Sequence, residues 1–128
     1  MDIAQAKPMI HPFIEEFVAE HFEVLVASAC TEDGFVIAHC DGSKLTLEED
    51  KVAALSSTLL SLSEAAARVI NSGKLQVTIM EGDKANLIVV KTQCRDLAIV
   101  LTVASESSLS IGQVLFLANR LAGEIRRL

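Results

Sequence analysis

Leu75-Gln76-Val77-Thr78-Ile79-Met80-Glu81, Ala85-Asn86-Leu87-Ile88-Val89-Val90-Lys91-Thr92 and Leu97-Ala98-Ile99-Val100-Leu101-Thr102-Val103-Ala104 are three strand-like runs in succession. Gly82-Asp83-Lys84 and the polar stretch 93–96 separate them. Aliphatic and β-branched residues dominate the runs, and the separators hold residues that turn a chain, so an antiparallel meander is expected. The segment Leu97-Ala98-Ile99-Val100-Leu101 is apolar throughout rather than alternating, as is Val24-Leu25-Val26-Ala27 far upstream. Strands of this kind are covered on both faces, so helices must pack on both sides of the sheet.

Upstream of the meander, Phe22 to Thr31 and Phe35 to Cys40 flank Glu32-Asp33-Gly34 and predict a hairpin. A tight turn there pairs Cys30 with Ile37 and Cys40 with Ala27, which argues against a Cys30–Cys40 disulfide. Before the hairpin, Met9, Ile10, Phe13, Ile14, Phe17 and Val18 recur at helical spacing with Glu15, Glu16 and Glu20 between them. Pro8 or Pro12 suits the first turn of that helix. After Asp41-Gly42-Ser43, the pattern Thr46-Leu47-Glu48-Glu49 has the form of a capping box. It predicts a helix reaching about Asn71 with Gly73 as its C-cap. Downstream, Ser110-Ile111-Gly112-Gln113 repeats the capping logic for a last helix, with Ile111, Val114, Leu115, Ala118, Leu121, Ala122 and Ile125 as its buried stripe. Arg126 and Arg127 suit its C-terminal dipole. The order αββαβββα makes an α+β fold: a single five-stranded antiparallel sheet with helices on both faces, in one domain spanning residues 1–128.

The middle helix carries only Glu64 as a charge between Lys51 and Arg68. Val52, Leu55, Leu59, Leu62, Ala66 and Val69 form one stripe, expected to lie on the sheet. Ala53, Ser56, Ser57, Leu60, Ser63 and Ala67 form a flatter face of small residues, which would admit another backbone closely. Either that face is an interface, or the loop from Asp41 to Thr46 covers it.

Composition narrows the function. Hydrophobic residues make up 51% of the 128, Trp and Tyr are absent, and the net charge is −6. Such a chain folds rather than staying disordered, and its charge repels nucleic acid and anionic lipid surfaces. Charges interrupt the apolar runs too often for direct membrane insertion. The N-terminal residues do not resemble a signal peptide, so a cytoplasmic location is expected. The three cysteines are expected to be small core residues. Around Gly73-Lys74 the positions a P-loop needs hold Arg68 and Leu75, and neither a dinucleotide fingerprint nor a nucleophile elbow occurs. His39-Cys40-Asp41 holds triad-type residues, but strand neighbours point to opposite faces. His11, His21 and His39 lack metal-ligand spacing. No enzyme activity, cofactor or metal is expected.

Several segments together resemble the Roadblock/dynein light chain family, especially its single-domain bacterial and archaeal MglB-type members, over roughly residues 9–127. Val24 to Ala38, with its Asp33-Gly34 turn, resembles the family's first hairpin. Leu59-Leu60-Ser61-Leu62-Ser63-Glu64-Ala65-Ala66 resembles its middle helix. Gly73 to Gly82 followed by Asn86-Leu87-Ile88-Val89-Val90 resembles its third and fourth strands, and Leu97 to Ala104 with Leu109, Gly112 and Ala118 its fifth strand and last helix. Many bacterial members carry Leu-Pro after the Asp-Gly, where this chain has Phe35-Val36. The resemblance implies profilin-like layering and a homodimer, or a heterodimer with a paralogue, in which middle helices and third strands pair. Ala53, Ser57, Leu60 and Ala67 on the helix, with Leu75, Val77 and Ile79 on the strand, are then the expected dimer interface. It further implies a partner such as a Ras-like small GTPase, which the dimer activates or regulates. The alternatives are a scaffold subunit of a larger complex with no effect on a nucleotide cycle, and a small-molecule sensor.

Overall fold

The computed structural model describes residues 1–128. Its elements are α1 (Ile3–Glu20), β1 (Val24–Cys30), β2 (Val36–Asp41), α2 (Glu49–Val69), β3 (Val77–Glu81), β4 (Ala85–Cys94), β5 (Leu97–Glu106) and α3 (Ile111–Arg126). The five strands form one antiparallel sheet in the order β2-β1-β5-β4-β3, which leaves β2 and β3 as its edges. Both the α+β class and the αββαβββα order are as the sequence predicts.

The period-2 alternation of β4 and β5 divides the core in two. Ile88, Val90, Ile99, Leu101 and Val103 point to one face, where α1 and α3 supply Ile10, Ile14, Val114, Leu121 and Ile125; this cluster holds 21 buried residues. Val89 and Val100 point to the other face and meet Cys30, Ala53 and Leu60 in a cluster of only five. The sheet is thus covered by two helices on one side and by α2 alone on the other.

Local chemistry explains the element ends, and in several places corrects the sequence expectation. Asp2 caps α1 reciprocally with Gln5: the Gln5 amide donates to Asp2 Oδ1 at 2.8 Å and the Asp2 amide to Gln5 Oε1 at 3.0 Å. Pro8 and Pro12 therefore lie inside the helix rather than in its first turn. Each removes one ladder hydrogen bond, but both are exposed and one turn apart, so water reaches the freed carbonyls. Thr46 does not cap α2; the N-cap is Glu48, whose side chain makes no capping bond to the helix amides. The Leu47 amide instead donates to Asp41 Oδ2 at 3.2 Å, tying the helix entry to the end of β2. At the other end Asn71, with φ 54°, takes the left-handed position ahead of Gly73. Ser72 N–H then bonds to the Ala67 carbonyl and Asn71 N–H to that of Arg68, the paired bonds of a Schellman motif. The Ser110–Gln113 capping box forms as expected.

In the first hairpin Ala27 pairs with Cys40 as predicted, but Cys30 pairs with Val36. A register shift between Ala29 and Cys30 leaves Ile37 as the extra residue of a bulge. All three cysteines are free. The last two strands are longer than expected and close on the two-residue turn Arg95-Asp96, with Arg95 at φ 56°.

Candidate functional site: the open face of the middle helix and the free strand edge

The two faces of α2 are exchanged relative to the sequence expectation. Ala53, Ser56, Leu60 and Ala67 are its buried residues, and they pack on the chain's own sheet. The cause is the short distance between helix and sheet. Thr102 Oγ1 donates to Ser56 Oγ at 2.6 Å, and Ser56 Oγ donates in turn to the Val52 carbonyl at 2.8 Å. Cys30 Sγ reaches the backbone carbonyl of Ala53 at 3.8 Å. Strand side chains that touch the helix backbone leave room for Ala and Ser and none for a row of leucines. Ser57 is also engaged internally, since its hydroxyl donates to the Glu32 carbonyl at 2.7 Å in the hairpin turn. Gly34, at φ +90°, lies beneath it, with the Cβ position 3.4 Å from Ser57 Cβ.

Much of the apolar stripe consequently faces outward, while Val52 and Leu59 are half-buried, Leu59 against the inner cluster. Leu55 is 50% exposed, Leu62 63% and Val69 85%, with Ile70 also open. Val52, Leu55, Leu59, Leu62, Ala66 and Val69 follow one another at alternating spacings of three and four, the a/d rhythm by which helices pack against helices. Isolated apolar surface residues are ordinary, whereas several exposed on one side of one helix make an apolar patch.

Beside the stripe lies β3, whose outer edge has no strand partner. Ile79 and Met80 are exposed on it. Between β3 and the C-terminal half of α2 runs a shallow groove of about 320 Å³, lined by Ala66, Ile70, Thr78 and Ile79 among others. The Thr78 hydroxyl is buried there without a hydrogen-bond partner. Among the residues assigned to the dimer interface from sequence, Ala53, Leu60 and Ala67 belong to the inner core and Ser57 to the hairpin contact. Leu75 packs half-buried beside the α2 core and Val77 beside that of α1 and α3, while Ile79 remains open. Leu55, Leu62, Val69 and Ile70 lie outside that assignment. Their heptad spacing is visible in the sequence, but a helix apolar on two faces does not reveal from sequence which one its own sheet takes.

The potentially reactive side chains are placed as follows. His39 Nε2 and Asp41 Oδ1 are 3.0 Å apart on one face of β2, while Cys40 between them packs on the α1 side. Burial, with Asp33 adding to it, pushes the Cys30 thiol up to about 11. Burial, Glu15 and Asp41 raise that of Cys40. His11 faces Glu15, and His21 faces Arg120. No helix is long and apolar enough to cross a membrane.

Residues 14–104 match the model of the Roadblock/LC7 domain. The chain belongs to the Roadblock/LC7 family. Its fold is that of a solved MglB with a tetrameric arrangement: TM-score 0.78 and 19% identity, covering 95% of this chain and 88% of the other. The gliding protein MglB of Thermus thermophilus is as near, at TM-score 0.78 and 18% identity over 95% of this chain and 89% of its own. The profilin-like layering is likewise met: profilin II of Acanthamoeba castellanii has TM-score 0.63 and 14% identity over 91% and 96%. No curated protein matches this Roadblock/LC7 chain by sequence.

Proposed function

We propose that this Roadblock/LC7 chain is a single-domain, non-enzymatic, cytoplasmic regulator of a Ras-like small GTPase. It acts as a dimer built on the outer stripe of α2 and the free edge of β3. The observation that carries this reading is the trio Leu55, Leu62 and Val69, spaced by sevens and open to solvent beside an unpaired strand. Two copies related by a two-fold axis satisfy both features at once. The α2 helices pack along their stripes, and the β3 edges continue one sheet into the next. The groove holding the buried Thr78 hydroxyl then closes against the second copy. The tetrameric MglB supports self-association as a property of this fold.

The GTPase as partner rests on family membership. The side chains support a regulator rather than a catalyst: Cys30 is buried with a raised pKa, and Cys40 lies across the strand from the His39–Asp41 pair. A dimer of this kind acts by positioning groups that belong to the GTPase.

The test is affinity capture of the tagged protein from its native lysate, in parallel with a non-hydrolysable GTP analogue and with GDP, followed by hydrolysis and exchange assays on the purified partner. A small GTPase enriched in one nucleotide state, with an altered hydrolysis or exchange rate, is the expected result. Recovery of the same partners in both states, with no GTPase among them, replaces the regulator with a scaffold subunit.

A further inference from the structure

The sheet face opposite α2 carries a second exposed feature, independent of the dimer contact. Gly112, Phe116, Arg120, Gly123 and Arg127 follow one another along α3 and its C-cap at spacings of three and four, so they fall on one line of the helix surface. Phe116 is 65% exposed. With Leu109, Gly112, Gln113 and Leu117 it borders an open groove of about 500 Å³. At Gly112 an added Cβ would meet nothing nearer than Ser110 Oγ at 3.9 Å, so a second chain can approach the backbone there.

The charge of this helix runs against that of the protein. Arg120, Arg126 and Arg127 against Glu124 give it a net +2, in a chain of net −6, so the remainder sums to −8. Lys44, Lys51 and Lys91 each meet a glutamate; the other lysine and arginine side chains, Arg120, Arg126 and Arg127 among them, meet no carboxylate. Arg120 contacts only the His21 Nε2 at 3.3 Å and lies 6.0 Å from the Phe116 ring centre. Arg120 and Arg127, in line with an exposed aromatic ring on the one helix of net positive charge, form a surface complementary to an acidic one.

We propose that this stripe of α3 docks an acidic amphipathic helix of a partner protein. An apolar side chain of that helix enters the groove at Phe116, and two carboxylates pair with Arg120 and Arg127. Those arginines are seven residues apart, about 10 Å along the axis, so the partner carboxylates stand two turns apart. The guanidinium fork binds each of them bidentately. The groove beside Phe116 gives a discrete seat for one side chain, which favours a helix over an anionic bilayer.

The experiment replaces Phe116 with a benzophenone amino acid, irradiates the protein in its native lysate and sequences the crosslinked peptide. That peptide is then synthesised and titrated by fluorescence anisotropy against the wild type and against Arg120→Glu with Arg127→Glu, whose unchanged fold is checked by circular dichroism. The expected peptide carries two carboxylates seven residues apart. Its affinity falls at least about tenfold in the double variant and returns when both carboxylates are changed to lysine. The Leu62→Glu variant keeps the crosslink, which separates this surface from the α2 contact. No crosslinked protein, a crosslink only to a second copy of this chain, binding to phosphatidylserine vesicles in place of a protein, or an affinity indifferent to charge reversal would each overturn the proposal.

Discussion

Replacing Leu62 tests the reassigned face of α2 directly. Leu62 leaves 63% of its surface open in the single chain. A wholly buried leucine contributes about 2.5 kcal/mol. Scaled to the open fraction, covering Leu62 contributes about 1.6 kcal/mol per copy, and about 3 kcal/mol over the two copies of a symmetric pair. At 1.4 kcal/mol per factor of ten, Leu62→Ala weakens the dimer by about two hundredfold. Leu62→Glu goes further, because it brings two like charges into an apolar seam. The isolated fold should hardly notice either change, since the side chain touches little of its own domain and alanine and glutamate are both good helix formers. Sedimentation velocity over a concentration series measures the dissociation constant, and thermal melting of the dilute monomer measures the fold. An unchanged dissociation constant would refute the outward orientation of the stripe as a dimer seam. A melting temperature that fell by many degrees in the monomer would show that Leu62 belongs to the inner core after all.

Leu60→Ala should behave in the opposite way: with Leu60 2% exposed in a core of five residues, it costs about 3 kcal/mol of folding stability. This appears as a lower urea midpoint with unchanged slope. Asn71→Ala should cost about 1 kcal/mol, because alanine resists the left-handed conformation that Asn71 adopts, while Asn71→Gly should cost nothing comparable; chemical denaturation of both variants checks it. The Cys30 thiol titrates at about 11 in the fold against an ordinary 9.0. Between those values the unfolded chain has released its proton and the folded chain still holds it, so stability falls as pH rises through this window and levels off above it. Urea titrations on either side of pH 9.0 should show a larger loss in the wild type than in Cys30→Ala, where only the raised Cys40 thiol remains, and Cys30 should resist thiol reagents until the protein unfolds.

Much of this protein is determined by local pattern alone. The turn residues at Asp33-Gly34 and Gly82-Asp83-Lys84, the continuous apolar runs of β1 and β5 and the Ser110–Gln113 cap each depend on residues close together in sequence, and all are met in the structure. The end of α2 was also open to such reading, since Asn71 is a residue that stops helices. The start of α1 was obscured because Pro8 and Pro12 suggest a first turn, whereas their shared exposed side lets them sit in mid-helix. The bulge at Ile37, opposite Cys30, had no local sign in the sequence.

The candidate site was visible as residues but not as a surface. The sequence by itself determined that α2 is apolar on two sides, one for its own sheet and one to be covered by a partner or by the loop from Asp41 to Thr46. Only the tertiary structure decided which. The Thr102–Ser56 and Cys30–Ala53 contacts bring the helix so close to the sheet that its small side chains must face inward, and this turns the leucine stripe out toward solvent. The separation of a helix from its sheet is set by side chains on strands far away in the chain, and periodicity along the helix contains no information about it.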